Sequence, residues 1–348
     1  MKKMLALLLA LVMVLSLAAC ASSQPAAAST ETAETTETTE AAEPAAEEPA
    51  EAPAESGKTY TVGVCQLVQH EALDAATQGF IDALKEELGD AVTVDVQNAS
   101  GDSVNCGTIV NGFVSKGVDL IMANATPALT AAVSATADIP ILGTSITAYG
   151  VALDIDDFNG TVGGNVSGTS DLADLQAQAQ MILDWFPETK TVGLLFCSAE
   201  PNSRYQIDEV RKALEAQGVT CEEFAFTDSN DVSSVTQKAA DFSDVVYIPT
   251  DNTAASNTEA IANVLIPAGV PAICGEEGLC RGCGVATLSI SYYDLGVTTG
   301  KMAAKILKGE ADISTMPVEY TDATPKYNAS VCEQLGITPL DGYEAIDG

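Results

Sequence analysis

From residue 60 onward, short apolar runs alternate with longer amphipathic stretches, and this rhythm restricts the folded part to few architectures. Residues 60–66 read as a strand. Leu73, Ala76, Phe80 and Leu84 then recur at steps of three and four, which places them on one face of a helix. Strands are expected at 92–96, 118–122 and 139–142, with helices around 104–113 and 128–137 between them. Short apolar strands separated by helices indicate a parallel sheet covered on both faces. The rhythm breaks over 143–170, a segment rich in Gly, Ser, Thr and Asp. It resumes with helices at 175–186, 205–217, 232–240 and 254–266, alternating with strands at 191–197, 219–226, 245–248 and 270–274.

The two halves echo each other. Thr61-Val62-Gly63-Val64-Cys65 resembles Thr191-Val192-Gly193-Leu194-Leu195, and Asp119-Leu120-Ile121-Met122 resembles Asp244-Val245-Val246-Tyr247. Ile139-Pro140-Ile141-Leu142-Gly143 likewise resembles Val270-Pro271-Ala272-Ile273-Cys274. The expected fold is α/β, with two Rossmann-like lobes, each a parallel sheet, joined by a multi-strand hinge. The first lobe is expected over 58–160, completed by about 290–322. The second is expected over 161–289, rejoined by about 323–348. A run at 285–290 and a helix over 293–307 are expected to return to the first lobe. Loops at the carboxyl ends of the two sheets would then face each other across a cleft, the edge at which open parallel sheets bind ligands.

The amino terminus gives an address. Lys2 and Lys3 precede an apolar run that ends in Leu17-Ala18-Ala19-Cys20, the build of a secretory signal over 1–19. The run is short for a transmembrane helix. Small residues directly before a cysteine resemble the lipobox of bacterial lipoproteins. That resemblance implies lipidation of Cys20 and an extracytoplasmic, membrane-anchored protein. Residues 21–57 follow as a stalk of Ala, Thr, Ser, Pro and Glu with no aromatic residue, which cannot bury enough surface to offset the entropy of ordering. Its nine glutamates repel one another and favour an extended spacer.

The stalk holds nine of the 49 acidic residues and the signal two of the 15 basic ones, which leaves about −27 on the folded part. That field repels nucleic acid and anionic lipid headgroups. Eight cysteines remain beyond Cys20, and several sit inside apolar runs where a thiol behaves as a small hydrophobe. Cys280-Arg281-Gly282-Cys283 is a single pair, whereas four-ligand zinc sites bring two pairs or histidines. Nucleophilic catalysis would have to use His70, the one histidine, and no G-x-S-x-G or G-x-x-x-x-G-K-[ST] sequence occurs. The expectation is a binder, not an enzyme, with no metal and no cofactor.

Motifs spread over the folded part carry a specific resemblance. They include Gln66-Leu67-Val68-Gln69-His70-Glu71-Ala72-Leu73-Asp74, Ala125-Thr126-Pro127-Ala128 and Gly164-Asn165-Val166-Ser167-Gly168. Asn202-Ser203, Pro249-Thr250-Asp251-Asn252-Thr253, Glu276-Glu277-Gly278 and Tyr292-Tyr293-Asp294-Leu295-Gly296 complete the set. Together they resemble the substrate-binding lipoproteins of ABC importers whose characterised members take up tryptophan or other aromatic amino acids. The resemblance implies a type I periplasmic-binding fold, a small-molecule ligand, an ABC permease and its ATPase as partners, and a monomer. A branched amino acid, nucleoside or sugar ligand, or a sensor role, would keep the same fold. Thr147-Ala148-Tyr149 and the Cys280–Cys283 loop depart from the family pattern, which bears on ligand choice.

A zwitterionic ligand needs partners for both charges, since an unpaired buried charge costs several kcal/mol. Backbone amides at helix starts suit a carboxylate, and Thr126-Pro127 and Asn202-Ser203 sit at such starts. Both also read as plain N-caps. Asp251 and Glu277, on loops after second-lobe strands, are the candidates for the ammonium, with Asn252 beside the first; Glu276 reads as a surface acid. Gln66 and His70 leave the first strand at the cleft edge, and Tyr149, Phe196 and Tyr292 are the candidate ring wall.

Overall fold

The computed structural model describes residues 58–346, and within them the strand–helix rhythm produces two parallel sheets. The signal sequence, Cys20 and the stalk lie outside the described residues. The first lobe opens with β1 (Tyr60–Gln66), α1 (Glu71–Leu88), β2 (Val92–Asn98) and α2 (Ser103–Lys116). It continues through β3 (Leu120–Asn124), α3 (Thr126–Ala135), β4 (Ile141–Ile146), α4 (Tyr149–Ala152) and β5 (Val166–Ser170). The second lobe runs through α5 (Leu175–Trp185), β6 (Thr191–Cys197), α6 (Pro201–Glu215), β7 (Thr220–Phe226) and α7 (Val232–Phe242). Then come β8 (Val245–Ile248), α8 (Asn252–Ala255), α9 (Thr258–Ala268), β9 (Ala272–Cys274), α10 (Glu277–Cys283) and β10 (Ala286–Ser289). The chain finishes with α11 (Tyr292–Lys308), β11 (Glu319–Tyr320), β12 (Thr324–Tyr327), α12 (Ala329–Leu335) and β13 (Glu344–Ala345).

The sequence echo is a topological repeat. The first sheet runs β2-β1-β3-β4-β5 and the second β7-β6-β8-β9-β10, every neighbouring pair parallel. β11 then extends the first sheet beside β5, and β12 joins the second antiparallel to β10. The chain therefore crosses between sheets three times: after β5, after β10 and after β11.

These pairings correct two boundaries. Residues 166–170 form β5 of the first sheet, although the sequence reading began the second lobe at 161. Val166-Ser167-Gly168-Thr169-Ser170 has one branched apolar residue, so it carries no strand periodicity to read. The run at 286–289 belongs to the second sheet, and the return to the first lobe starts only with α11. The single helix expected over 254–266 is divided into α8 and α9.

Side chains alternating along each strand build a core on either face of each sheet. On the first sheet Val62, Val64, Leu120, Met122 and Leu142 face Phe80 and Leu84 of α1 and Met302 of α11. Cys65, Ile121 and Ile141 face Val110 and Phe113 of α2 and Leu129 of α3. The second sheet repeats the arrangement, with Val192, Leu194, Phe196 and Tyr247 on one side and Leu195, Cys197, Val246 and Ile248 on the other. Trp185 packs edge-on against Tyr343, with ring centroids 5.1 Å apart.

α1 and α11 meet along a face of small residues. A side chain on Gly79 would run into the Tyr293 carbonyl, and one on Gly296 into the Ala76 carbonyl, so the helices approach backbone to backbone. That contact carries a small cluster of Ala72, Ala76, Ile290, Tyr292 and Leu295 up to the second crossing. It fixes the start of α1 and the start of α11 side by side at the cleft.

Candidate functional site

The carboxyl ends of both sheets meet around a small cavity of about 10 Å³. That is room for about one water molecule or one small polar group, well short of the roughly 300–1,000 Å³ of small-molecule sites. The first lobe contributes His70 and Leu73 at the start of α1, and Ser145 and Thr147 at the end of β4. The second lobe contributes Asn202 from α6, Thr250, Asp251, Asn252 and Ala255 after β8, and Glu276 after β9. Asp171 and Tyr292 come from the first and second crossings. Asn252 also borders a larger cleft of about 370 Å³ between the lobes, within that range, where Pro127 and Glu200 form part of the wall.

Four atoms of this lining are buried with no hydrogen-bond partner: His70 Nδ1, Ser145 Oγ, Asp171 Oδ1 and Asn202 Oδ1. Buried polar atoms are otherwise almost always paired. Four around one cavity are free to meet polar groups of a ligand. His70 Nε2 lies 3.3 Å from Asn252 Oδ1 across the lobes. With Nε2 donating there, Nδ1 is an acceptor. Burial pushes the His70 pKa down, against the pull of Asn252, Glu200 and Asp74, which keeps the ring neutral.

Acid dominates the cavity. Asp171, Asp251 and Glu276 are buried, and among the described residues no lysine or arginine lines it. Burial pushes the Asp171 carboxyl up, partly opposed by the Tyr292 hydroxyl. Tyr292 donates to Asp171 Oδ2 at 2.9 Å, so Oδ1 alone remains available. Burial raises Glu276 to about 7, although it accepts hydrogen bonds from the Gly278 and Leu279 amides. Burial, then the neighbouring Glu200 charge, raises Asp251 to about 8.

Of the residues expected from sequence, this cavity gathers His70, Asn202, Asp251, Asn252 and Tyr292. Asp251 has little left for a ligand: Oδ2 accepts from Cys197 N at 2.6 Å and Oδ1 from Ala254 N at 2.8 Å, so it caps α8 and braces β6. The others are placed elsewhere. Gln66 is bound to Asp74 and Thr77 and holds the first turns of α1. Thr126 is buried in the first turn of α3, and Pro127 faces the larger cleft. Tyr149 turns its hydroxyl under β5, donating to Thr169 O at 3.2 Å. Phe196 lies in the second-lobe core, with the Arg204 guanidinium 4.3 Å over its ring. Ser203 is fully buried in α6.

Glu277 is held by Arg281 and Lys326 on the outer side of α10. Its neighbour Glu276, read as a surface acid, is the one that lines the cavity. Of the polar lining, Ser145, Thr147, Asp171, Thr250 and Glu276 were thus missed. Asp171 carried one faint signal, an isolated acid at the end of a Ser/Thr/Gly run. All eight cysteines of the described residues are free and seven are buried. No group of three His, Cys, Asp or Glu there is placed to hold a metal.

Residues 61–342 match the model of the family described as ABC transporter substrate binding protein. The chain belongs to this family. Among relatives of this substrate-binding protein, a tyrosine-binding protein of Clostridioides difficile (strain R20291) is 33% identical over 276 residues, 78% of this chain and 79% of the relative. A solved ABC domain in complex with L-Trp from Streptococcus pneumonia is 32% identical, with TM-score 0.79, covering 83% of this chain and 100% of that one. A ligand-free, open substrate-binding protein with adhesive properties from Clostridium difficile is also 32% identical, over 83% and 99%, with TM-score 0.63. At equal identity the overlap is better with the liganded structure than with the open one. The contacts between the lobes agree: His70 reaches Asn252 and Glu71 reaches Arg281, so the two lobes of this substrate-binding protein are closed on each other.

Proposed function

We propose that this substrate-binding protein captures an aromatic L-amino acid, L-tyrosine or L-tryptophan, between its lobes, and passes it to an ABC permease driven by its ATPase. The observation that carries the reading is the unpartnered Asp171 Oδ1 on the cavity wall. An ammonium group has three N–H donors. Asp171 Oδ1, Asn202 Oδ1 and His70 Nδ1 supply three acceptors on the same cavity. The Ser145 hydroxyl is left to donate to the ligand carboxylate. The ring would project toward the larger cleft beyond Asn252. The ligands named for the tyrosine-binding relative and the tryptophan complex support the same class.

A binder of this kind releases its ligand unchanged. A thermal-shift screen of the purified chain against the twenty amino acids, nucleosides and simple sugars tests the assignment. Stabilisation is expected with tyrosine or tryptophan, and a shift with a sugar or nucleoside alone contradicts it. The protein is further proposed to be a monomer held at the membrane by acyl chains on Cys20, more than one chain being needed for stable anchoring. Replacing Cys20 by serine should release cleaved protein into the soluble fraction, whereas retention in a salt-washed membrane pellet refutes the anchor.

A further inference from the structure

The start of α1 reaches the second lobe twice in succession. His70 meets Asn252 inside the cavity, and the next residue, Glu71, meets Arg281 outside it. Glu71 Oε1 lies 3.1 Å from Arg281 Nη2. Arg281 is aimed by Glu277, one turn earlier on α10 and 2.7 Å away, and Glu277 is in turn held by Lys326 of β12. The acid is on the first lobe and the aimed cation on the second.

The pair stands over a second opening between the lobes, lined by His70, Glu71, Ala255, Glu276 and Arg281. His70, Ala255 and Glu276 also line the cavity, so this mouth between the lobes adjoins it. Neither Glu71 nor Arg281 lines the cavity itself. We propose that Glu71 and Arg281 form a latch across this mouth, which biases the lobes toward closure and slows ligand release without touching the ligand. The ligand's identity rests on the reading above, whereas the latch rests on the inter-lobe contact alone.

Because the two partners sit on different lobes, opening must separate them. A bias toward the closed state then appears in affinity as the fraction of binding-competent protein. The side chains are 50% and 36% exposed, so water and salt screen the pair and the effect is modest. Exposed ion pairs typically change an equilibrium by about 1.5- to fivefold.

Stopped-flow release of L-tyrosine or L-tryptophan from the full chain tests the latch. Glu71→Gln is expected to raise the dissociation rate about 1.5- to fivefold. Glu71→Arg, which sets two cations face to face, should raise it further. The wild-type rate should climb with added NaCl, and the Glu71→Gln rate should not. Glu86→Gln, an equal charge change at an exposed position of α1, should match the wild type. Thermal midpoints check that each variant is folded. Amide hydrogen exchange without ligand gives an arm independent of the solute: residues 145–147 and 250–255 should exchange faster in Glu71→Arg. Release from Glu71→Arg at the wild-type rate overturns the latch. If the wild type binds neither amino acid, the ligand assignment fails, and exchange alone decides: unchanged protection in Glu71→Arg overturns the latch, faster exchange supports it.

Discussion

Tyr292 donates its phenolic hydrogen to Oδ2 of Asp171 at 2.9 Å, and the other oxygen of that carboxylate faces the cavity with no partner. The two residues belong to different crossings between the lobes, one after β5 and one at the start of α11. The hinge thus also lines the cavity. A ligand held by Asp171 is held where the lobes pivot, so it engages both halves from one point.

Asp171→Asn keeps the shape and the Tyr292 contact but removes the charge. Affinity for the aromatic amino acid is expected to fall by about 2–5 kcal/mol, the range for truncating a buried charge partner. Tyr292→Phe should cost less, since the carboxylate stays. Calorimetric titration of both variants gives the comparison, and an unchanged dissociation constant for Asp171→Asn assigns the ammonium to another residue.

Asp251 is expected to behave differently. Its two oxygens serve the Cys197 and Ala254 amides, so Asp251→Ala leaves buried donors unsatisfied at about 1–3 kcal/mol each. The loss should appear in the denaturation midpoint of the ligand-free protein. A variant as stable as the wild type would show that the brace is dispensable.

Glu276 links stability to pH. Burial lifts its folded-state pKa from the ordinary 4.5 to about 7, so the folded protein holds this proton more tightly than the unfolded chain. The resulting contribution is complete below the unfolded pKa and disappears as pH rises through about 7. The melting temperature of the ligand-free wild type should therefore fall between pH 5 and 8 more steeply than that of Glu276→Gln. Parallel curves would remove Glu276 from the account.

The contact between α1 and α11 leaves no room for a side chain. Gly296→Val would push against the Ala76 carbonyl and is expected to destabilise by about 1–3 kcal/mol, the usual range for overpacking. Because those helices carry His70 and Tyr292, ligand affinity should fall with stability. Chemical denaturation and titration of the same sample check both.

Apolar strands and amphipathic helices were legible because alternation in a sheet and the helical period leave their marks on residue order. The repeat of the two lobes was legible for the same reason. Strand β5 was not, since Ser167, Gly168, Thr169 and Ser170 are buried through hydrogen bonds and close packing, not through branched apolar side chains. Losing β5 also hid Asp171, which directly follows it. Loops gave the neighbourhood but not the direction of a side chain. Glu276 and Glu277 are adjacent, yet one turns into the cavity and the other out toward Lys326. Phe196 was placed at the right end of β6, but strand alternation turns it into the core.

The central claim is that the closed cavity recognises the ammonium of an aromatic L-amino acid through Asp171. Isothermal titration of the purified chain with L-tyrosine and L-tryptophan, each beside its N-acetyl derivative, tests it most directly. Saturable one-to-one binding of at least one free amino acid, abolished by N-acetylation, is the predicted result. Equal binding of the acetylated form, or heat only with a sugar, would contradict it.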